Sequence, residues 1–479
     1  MKWAFLAFLV FALVLYLTFY ILPKGREIPN TIKDPPGVQD TAGGIAVVVD
    51  THSDTLIKIV DEKTWLPSVD IGEDTPFDID IPKLKKGGVD VQYFGAFTSG
   101  YYSGGKPDYM RSNSRLLSLI NALYWTVEKN SQHMDIARSV EDIKVLSGNG
   151  KISAVLSIEG AYSLDEENGI ELLHQYHDLG VRAIALTWNH SNVLGEGVNG
   201  AYMDGLPSKG GLTGFGKEVV REMNRLGIII DVSHMNEETF LDVLETSDAP
   251  VIASHSGVYT LRNHGRNLKD DQIRAIAKGG GVVQVVFFPE FLAASEAGGG
   301  VETIADHIEY IVRLVGAEHV GIGSDFDGAT MPEDLKDASM IPRLESELEG
   351  RNFSRDDIEK IMGKNTMRVM EKVWRRPAGA QNSIGALFIK PLVEMGQPLY
   401  GTTPVLSAAI EAQEGADINV LSLRVIVDGR VNIPEFDPET GTISLELREP
   451  LEDGFHVVTF LAADLDGDAT RETRIFYLK

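Results

Sequence analysis

The chain has 479 residues, no cysteine, 43% hydrophobic content, and 70 acidic against 44 basic side chains for a formal net charge of −26. That length and apolar content support two or three folded domains and exclude a disordered tail protein, while the negative balance argues against nucleic-acid binding and adhesion to anionic lipid. Without cysteine there is no disulfide framework, thiolate metal site, iron–sulfur cluster or cysteine nucleophile, so any metal must be held by His, Asp and Glu.

From Trp3 to Leu22 the sequence reads WAFLAFLVFALVLYLTFYIL, twenty residues without a charge. As a helix this stretch spans about 30 Å, the thickness of a bilayer core. No small-x-small cleavage site follows, because the segment runs into Ile21, Leu22, Pro23 and Lys24. Residues 1–22 are therefore expected to form a retained transmembrane signal-anchor, with a cleaved signal peptide as the alternative. Lys2 on one side and Lys24 and Arg26 on the other leave the positive-inside rule without a clear vote. The expected location is the cell membrane, single-pass, with an extracytoplasmic catalytic domain. Residues 23–44, rich in proline and polar side chains, read as an extended tether.

Eight short apolar runs bounded by turn residues follow: Ile45 to Asp50, Val89 to Phe97, Ile152 to Gly160, Val181 to Trp188, Gly227 to His234, Ala249 to Ser256, Gly280 to Phe288 and His319 to Gly328. Their nearly continuous apolar character suits strands covered on both faces, and helix-like segments such as Gly216 to Leu226, Lys269 to Lys278 and Glu302 to Val315 lie between them. This predicts a (β/α)8 TIM-like barrel over residues 45–376, with an open doubly wound sheet as the rival. The first strand leads into VDTHSDTL, which is not a glycine-rich phosphate loop.

In a barrel the chemistry sits at the carboxyl ends of the strands. The polar residues ending these runs are His52 and Asp54, Glu159, His190, His234, His255 and Asp325. Each has an ordinary reading alone: a turn for His52-Ser53-Asp54, a cap for Glu159, buried or turn-orienting histidines at His234 and His255, a turn aspartate at Asp325. Their shared place at one end of separate strands outweighs those readings. His133, His174, His177, His307, His319 and His456 do not share it and are expected to be structural or exposed. A nitrogen and oxygen set of this kind suits zinc, with manganese or iron possible, and Glu159 could bridge two ions. Asp325 is then the expected proton-transfer group.

After Trp374, Arg375 to Gly379 marks a boundary. Residues 381–479 carry the alternating runs NVLSLRVIVDG, GTISLELREP, GFHVVTFLAADLDG and ETRIFYLK after a doubtful early helical stretch, which predicts an immunoglobulin-like β-sandwich. Asp464 to Asp468 reads as a hairpin turn rather than a calcium loop.

The segments VDTHSDTL, LSIEG, ALTWNHSN, IDVSHMN, VIASHSG, RNHGRNL and VGIGSDFDG, in this order and spacing, resemble the membrane (renal-type) dipeptidases, metal-dependent members of the amidohydrolase-like barrels. The resemblance covers Ile45 to Trp374. It implies two zinc ions per chain, one on His52 and Asp54, the other on His234 and His255, with Glu159 bridging. It also implies Asp325 as the proton-transfer aspartate and Arg266 as the partner of the free carboxylate of a dipeptide substrate. Where the mammalian members place a histidine directly after Leu-Thr, this chain has Trp188, and a histidine comes only at His190. Both are therefore substrate-binding candidates, His190 as a carbonyl-polarising group and Trp188 as pocket lining. The implied reaction is hydrolysis of dipeptides by a hydroxide held between the metals, including those with a C-terminal D-residue, in an enzyme that could form a homodimer. Two alternatives stand beside it: another amidohydrolase-type hydrolase, such as a deaminase or lactonase, although those commonly start with His-x-His, and a non-catalytic surface binding protein.

Overall fold

The computed structural model describes residues 47–102, 108–198, 210–294, 299–374, 386–413 and 416–479. The expected anchor at 1–22 and tether at 23–44 lie outside the described residues, among which no helix is long and apolar enough to cross a membrane. The first nine strands are β1 (Val49–Asp50), β2 (Val91–Phe97), β3 (Met134–Ile136), β4 (Ile152–Glu159), β5 (Val181–Ala185), β6 (Ile229–Asp231), β7 (Ile252–Ser256), β8 (Val282–Val285) and β9 (Val320–Ile322). All their pairings are parallel, and β1, β2, β4, β5, β6, β7, β8 and β9 close into a ring through the β2–β4 and β9–β1 pairs. The closed eight-stranded barrel excludes the open doubly wound sheet.

β3 was not among the expected strands. It pairs only with β4, outside the ring, and its three residues alternate buried, exposed, buried, too short a pattern to register as a run. The barrel strands are also shorter than the apolar runs that announced them. The run from Val181 to Trp188, for example, leaves the ladder after Ala185, and its last residues belong to a loop at the carboxyl end of the barrel.

Period-two alternation sorts the strand side chains. Val49, Val91, Tyr93, Val155, Ala183, Ile229, Ile252 and Val282 form one buried cluster inside the ring. Phe94, Ala96, Leu156, Ile158, Ile184, Ile230, Val283 and Val285 belong to the larger cluster under the surrounding helices. With Val155 inside, Glu159 falls on the same inner face two steps later. Four of those helices start at side-chain caps, Asp108, Ser139, Thr213 and Asn236 each accepting from a backbone N–H of the first turn.

The C-terminal residues form two sheets around one apolar core. One is ordered β10-β12-β16-β15 (Leu387–Pro391, Val405–Ala412, Thr442–Glu446, Glu435–Asp437), the other β11-β18-β17-β13-β14 (Gln397–Leu399, Ala469–Leu478, Gly454–Ala463, Arg424–Val427, Arg430–Asn432). No α-helix forms among the described residues of this module: in β12 the alanine-rich sequence VLSAAIEA buries alternate residues, Leu406, Ala408 and Ile410, and pairs with β10 and β16.

The β module is packed on the barrel, since Phe455, Val457 and Ile475 belong to the barrel's own buried cluster. Polar contacts frame that apolar seam. Gln175 Nε2 donates to the Ile426 carbonyl at 3.0 Å and to Thr459 Oγ1 at 3.1 Å, Gly429 N donates back to Gln175 Oε1 at 2.7 Å, and Arg471 Nε pairs with Asp178 at 2.9 Å. His456, expected to be structural or exposed, is buried there. Its Nδ1 is 2.7 Å from Asp428 Oδ2 and its Nε2 2.8 Å from the Glu452 carbonyl, so both nitrogens face acceptors and both carry protons. Burial pushes this imidazole down, but the Asp428 carboxylate and the Glu452 carbonyl hold it above its ordinary value. A raised folded-state pKa contributes stability in full below the unfolded value and loses it as pH rises through the folded value. The melting temperature of the wild type should therefore fall more steeply than that of His456→Gln as pH rises above the ordinary histidine value of about 6.5. Parallel curves from scanning calorimetry would remove this ion pair as a source of pH-dependent stability.

Candidate metal centre

Three histidines and three carboxylates meet at the carboxyl end of the barrel. His52 and Asp54 follow β1, Glu159 ends β4, His234 stands three residues past β6, His255 lies on β7, and Asp325 stands three residues past β9. Glu159 is at the centre: its Oε1 is 2.8 Å from His234 Nε2 and 3.4 Å from His255 Nε2, and its Oε2 is 3.8 Å from His52 Nε2. His52 Nε2 is also 3.7 Å from Asp325 Oδ1, and the His52 and His255 rings stack at 4.0 Å. Two groups have ligand atoms close enough to share an ion, His52 with Glu159 and His255, and His52 with Asp54 and Asp325.

The backbone is bent to achieve this. His234 and Asp325 both have φ of 66°, and Asp327 65°. Left-handed non-glycine residues clustered at one site are strain that the surroundings must hold. On β7 the register shifts between Ala253 and Ser256, which accompanies the inward reach of both Ser254 and His255. Gly328 gives room: a Cβ there would lie 2.5 Å from Asp54 Oδ2 and 2.6 Å from Asp325 Oδ1.

Hydrogen bonds behind the histidines set their tautomers. Ser254 has one hydroxyl proton, which it donates to Asp231 Oδ2, so at 2.8 Å it accepts from His255 Nδ1–H. His234 Nδ1 is 2.8 Å from Asn189 Oδ1, an acceptor, and so donates to it. Both rings therefore turn an unprotonated Nε2 toward the centre, and these two atoms are 2.9 Å apart. His52 Nε2 and Asp54 Oδ1 are buried there without a hydrogen-bond partner. Acceptors converging on acceptors repel; a proton on Glu159 can satisfy one contact, whereas metal cations satisfy all of them. The residues present fit a bound metal.

The electrostatics agree. Burial and the Arg266 charge push His52 down to about 3, and burial first of all drives His234 and His255 well below the ordinary value, leaving all three as neutral ligands. Burial and the neighbouring carboxylate charge push Asp54, Glu159 and Asp325 well up. A bound cation reverses that second trend. Arg266 is buried, donates from Nη2 to the His255 carbonyl at 3.3 Å, and leaves its Nε without a partner. Its ring neighbour is Phe291, 5.5 Å from the guanidinium.

Trp188 and His190 take a different place. The Trp188 ring is 6.1 Å from that of His234 and 5.1 Å from Phe97, whereas His190 lies against Tyr101 at 4.5 Å and Trp188 at 5.5 Å. Trp188 thus has both His190 and His234 as ring neighbours. Sequence reasoning singled out these two and passed over Asn189 between them, which touches His234 directly. It also missed Asp231, Ser254 and Asp50. Asp50 Oδ1 accepts from Ser324 N at 2.8 Å and Oδ2 from Ser324 Oγ at 2.7 Å, tying the β1 end to the β9 end. The visible signal for Asp231 and Asp50 was an aspartate closing an apolar run in GIIID and IAVVVD.

Comparison with known proteins places this geometry. The membrane dipeptidase family (peptidase family M19) matches residues 45–383, ending before β10. A dipeptidase of Schizosaccharomyces pombe is 35% identical over 344 residues, 68% of this chain and 80% of that relative. Dipeptidase aclJ of Aspergillus oryzae is 32% identical over 303 residues, 62% of this chain and 70% of that relative. Among solved structures, a metallopeptidase from Rhodobacter sphaeroides liganded with a phosphinate mimic of the dipeptide L-Ala-D-Ala aligns with a TM-score of 0.60 at 26% identity, covering 68% of this chain and 99% of that one. The probable dipeptidase PvdM from Pseudomonas aeruginosa aligns with a TM-score of 0.61 at 27% identity, covering 68% and 95%.

Proposed function

Because the chain belongs to the membrane dipeptidase family, peptidase family M19, it is a metal-dependent dipeptidase, and we propose that it uses two zinc ions to hydrolyse dipeptides, including those with a C-terminal D-residue. The observation that carries the metal reading is the convergence of His234 Nε2, His255 Nε2 and Glu159 Oε1, contacts of which a proton on Glu159 could satisfy only one. The D-residue rests on the phosphinate mimic of L-Ala-D-Ala held by the Rhodobacter relative. Zinc on His52, Asp54, Glu159, His234 and His255 would supply Lewis acidity toward a scissile carbonyl and a water acidic enough to attack near neutral pH.

The remaining work belongs to the chain's own residues. Arg266, with an unpartnered Nε in a buried pocket, is suited to grip the terminal carboxylate of a dipeptide and so to exclude longer peptides. Asp325, whose raised pKa follows from burial and the Asp54 charge, takes a proton and returns it to the departing amine. Trp188 and His190 line the approach. An anchor at residues 1–22 would hold the enzyme at a membrane.

Metal analysis and turnover of L-Ala-D-Ala beside L-Ala-L-Ala test the reading. Expected are about two zinc equivalents and chelator-sensitive hydrolysis of both peptides. A chain with no metal and no turnover overturns it, and strict L,L preference removes the D-residue. Arg266→Lys keeps the charge beside Glu159 and Asp325 but loses the planar fork, so KM for the free dipeptide should rise about 10- to 100-fold while its C-terminal amide changes little. An unaltered preference for the free acid would refute the role of Arg266.

A further inference from the structure

Resting on the dipeptidase reading above, we propose that Asp428 of the C-terminal β module is a positioning residue for the barrel's active site, acting through Asn113, Tyr176 and the turn that follows Glu159. Asp428 and Gly429 form the two-residue turn joining β13 to β14, with φ of 47° and 76°. Aspartate followed by glycine suits such a turn, whose two central residues both need positive φ. The turn is pressed on the barrel: a Cβ on Gly429 would lie 2.5 Å from the Asn168 carbonyl, and Asn168 Nδ2 donates to the Asp428 carbonyl at 2.8 Å.

The Asp428 carboxylate is saturated. Oδ2 holds His456, and Oδ1 accepts from Val457 N and from Asn113 Nδ2, both at 3.0 Å. Asn113 lies on the barrel helix Tyr109–Lys129. Its Oδ1 is 2.8 Å from the Tyr176 hydroxyl, which is also 2.8 Å from Ser163 Oγ. With one proton, the phenol donates to Asn113 and accepts from Ser163. Ser163 sits four residues beyond Glu159, beside Tyr162, whose hydroxyl accepts from Trp188 N at 3.1 Å and donates to the His190 carbonyl. Those bonds fix the loop that carries Asn189, the partner of His234 Nδ1. A continuous run of hydrogen bonds and one shared turn thus joins the β module to a histidine of the metal centre.

Hydrogen bonding, more than packing, holds the outer part of this run. Asn113, Ser163, Asp428 and His456 all border a cavity of 510 Å³ at the junction of module and barrel. Without Asp428, the Asn113 amide loses its acceptor on the module, and the oxygen to which Tyr176 donates is no longer held from that side.

The test uses the full chain and Tyr176→Phe, which keeps the buried ring and deletes only the hydroxyl between Asn113 and Ser163. Amide exchange over residues 186–198 should speed up about fivefold or more, in metal-free and zinc-loaded protein alike. The kcat for L-Ala-D-Ala should fall about 10-fold with KM nearly unchanged, and Asp428→Asn should act in the same direction. Arg471→Gln breaks the Asp178 ion pair at the same interface but off this run, and should leave both readouts at the wild-type level. Unchanged exchange over 186–198 in Tyr176→Phe overturns the proposal, as does an equal change in Arg471→Gln. If the wild type hydrolyses no dipeptide, the dipeptidase reading falls by itself, and the exchange comparison still decides whether the module positions this loop.

Discussion

Glu159→Gln should abolish dipeptide turnover, by about a thousandfold or more, and strip the zinc-dependent gain in melting temperature, yet leave the metal-free protein as stable as the wild type or more so. The first part follows from position. Glu159 has a carboxylate oxygen within 3.8 Å of each of the Nε2 atoms of His52, His234 and His255. A neutral amide of the same shape cannot bridge two cations, and a thousandfold corresponds to about 4 kcal/mol of lost transition-state stabilisation. The second part follows from linkage. Burial, followed by the Asp325 charge, raises the Glu159 pKa well above its ordinary value. A raised carboxyl binds its proton more tightly in the folded state, so its contribution is favourable below the unfolded pKa of about 4.5 and is lost as pH rises through the folded value. At neutral pH the metal-free wild type must either hold that buried carboxyl ionised or take up a proton on folding, each of which opposes folding, and glutamine removes the cost. On the proposed zinc reading, the metal would stabilise the wild type by binding the folded state alone, a gain that would grow with the logarithm of free metal over Kd. Calorimetry at pH 7.5 with chelator and with excess zinc would read both effects. A variant that still gains melting temperature from zinc and still turns over substrate would show that Glu159 is not the bridge.

The barrel and the residues of its centre were legible for one physical reason. A strand buried on both faces is mostly apolar, so a carboxylate or imidazole at the carboxyl end of such a run marks where the chain reaches the mouth of the ring, and that is where chemistry can face solvent. His52, Glu159 and His255 lie at or just past the ends of β1, β4 and β7. What was not legible depended on contacts that sequence spacing does not encode. Asp231 and Ser254 are 23 residues apart and meet only because β6 and β7 are neighbours. Asn189 touches His234 across 45 residues because Tyr162 ties down the loop after β5, where strand alternation has already ended at Ala185. Trp188 and His190, the candidates from this loop, flank Asn189, the residue whose side chain meets His234. In the β module the strands missed besides β10 and β12 were the short edge ones, β11, β14 and β15, each of three residues. Strands of that length carry no measurable period and exist through their neighbours.

Asp325→Asn and Asp325→Ala should both lose catalysis, and the difference between them should separate chemistry from backbone strain. Asp325 occupies the left-handed region at φ 66°, and its amide N–H donates to the His52 carbonyl at 3.2 Å, so its conformation helps to set His52. Asparagine tolerates that region nearly as well as aspartate, whereas alanine pays about 1–2 kcal/mol there. In Asp325→Asn the fold, the zinc content and KM should therefore stay close to wild type. The amide can neither take a proton from water nor return one to the departing amine, so kcat should fall about 100- to 10,000-fold, the usual worth of a positioned acid–base group. Burial and the Asp54 charge hold the Asp325 carboxyl well above the ordinary range, which matches a group that must pick up a proton near neutral pH and give it back within one turnover. Alanine should show the same loss of kcat together with a lower melting temperature and weaker zinc retention, because the turn carrying Asp325 relaxes and His52 with it. Turnover by Asp325→Asn within tenfold of the wild type at constant zinc content would assign the proton transfer elsewhere. Equal melting temperatures for the two variants would mean that the left-handed turn is held by Gly328 and the Asp50–Ser324 bonds without help from the residue at 325.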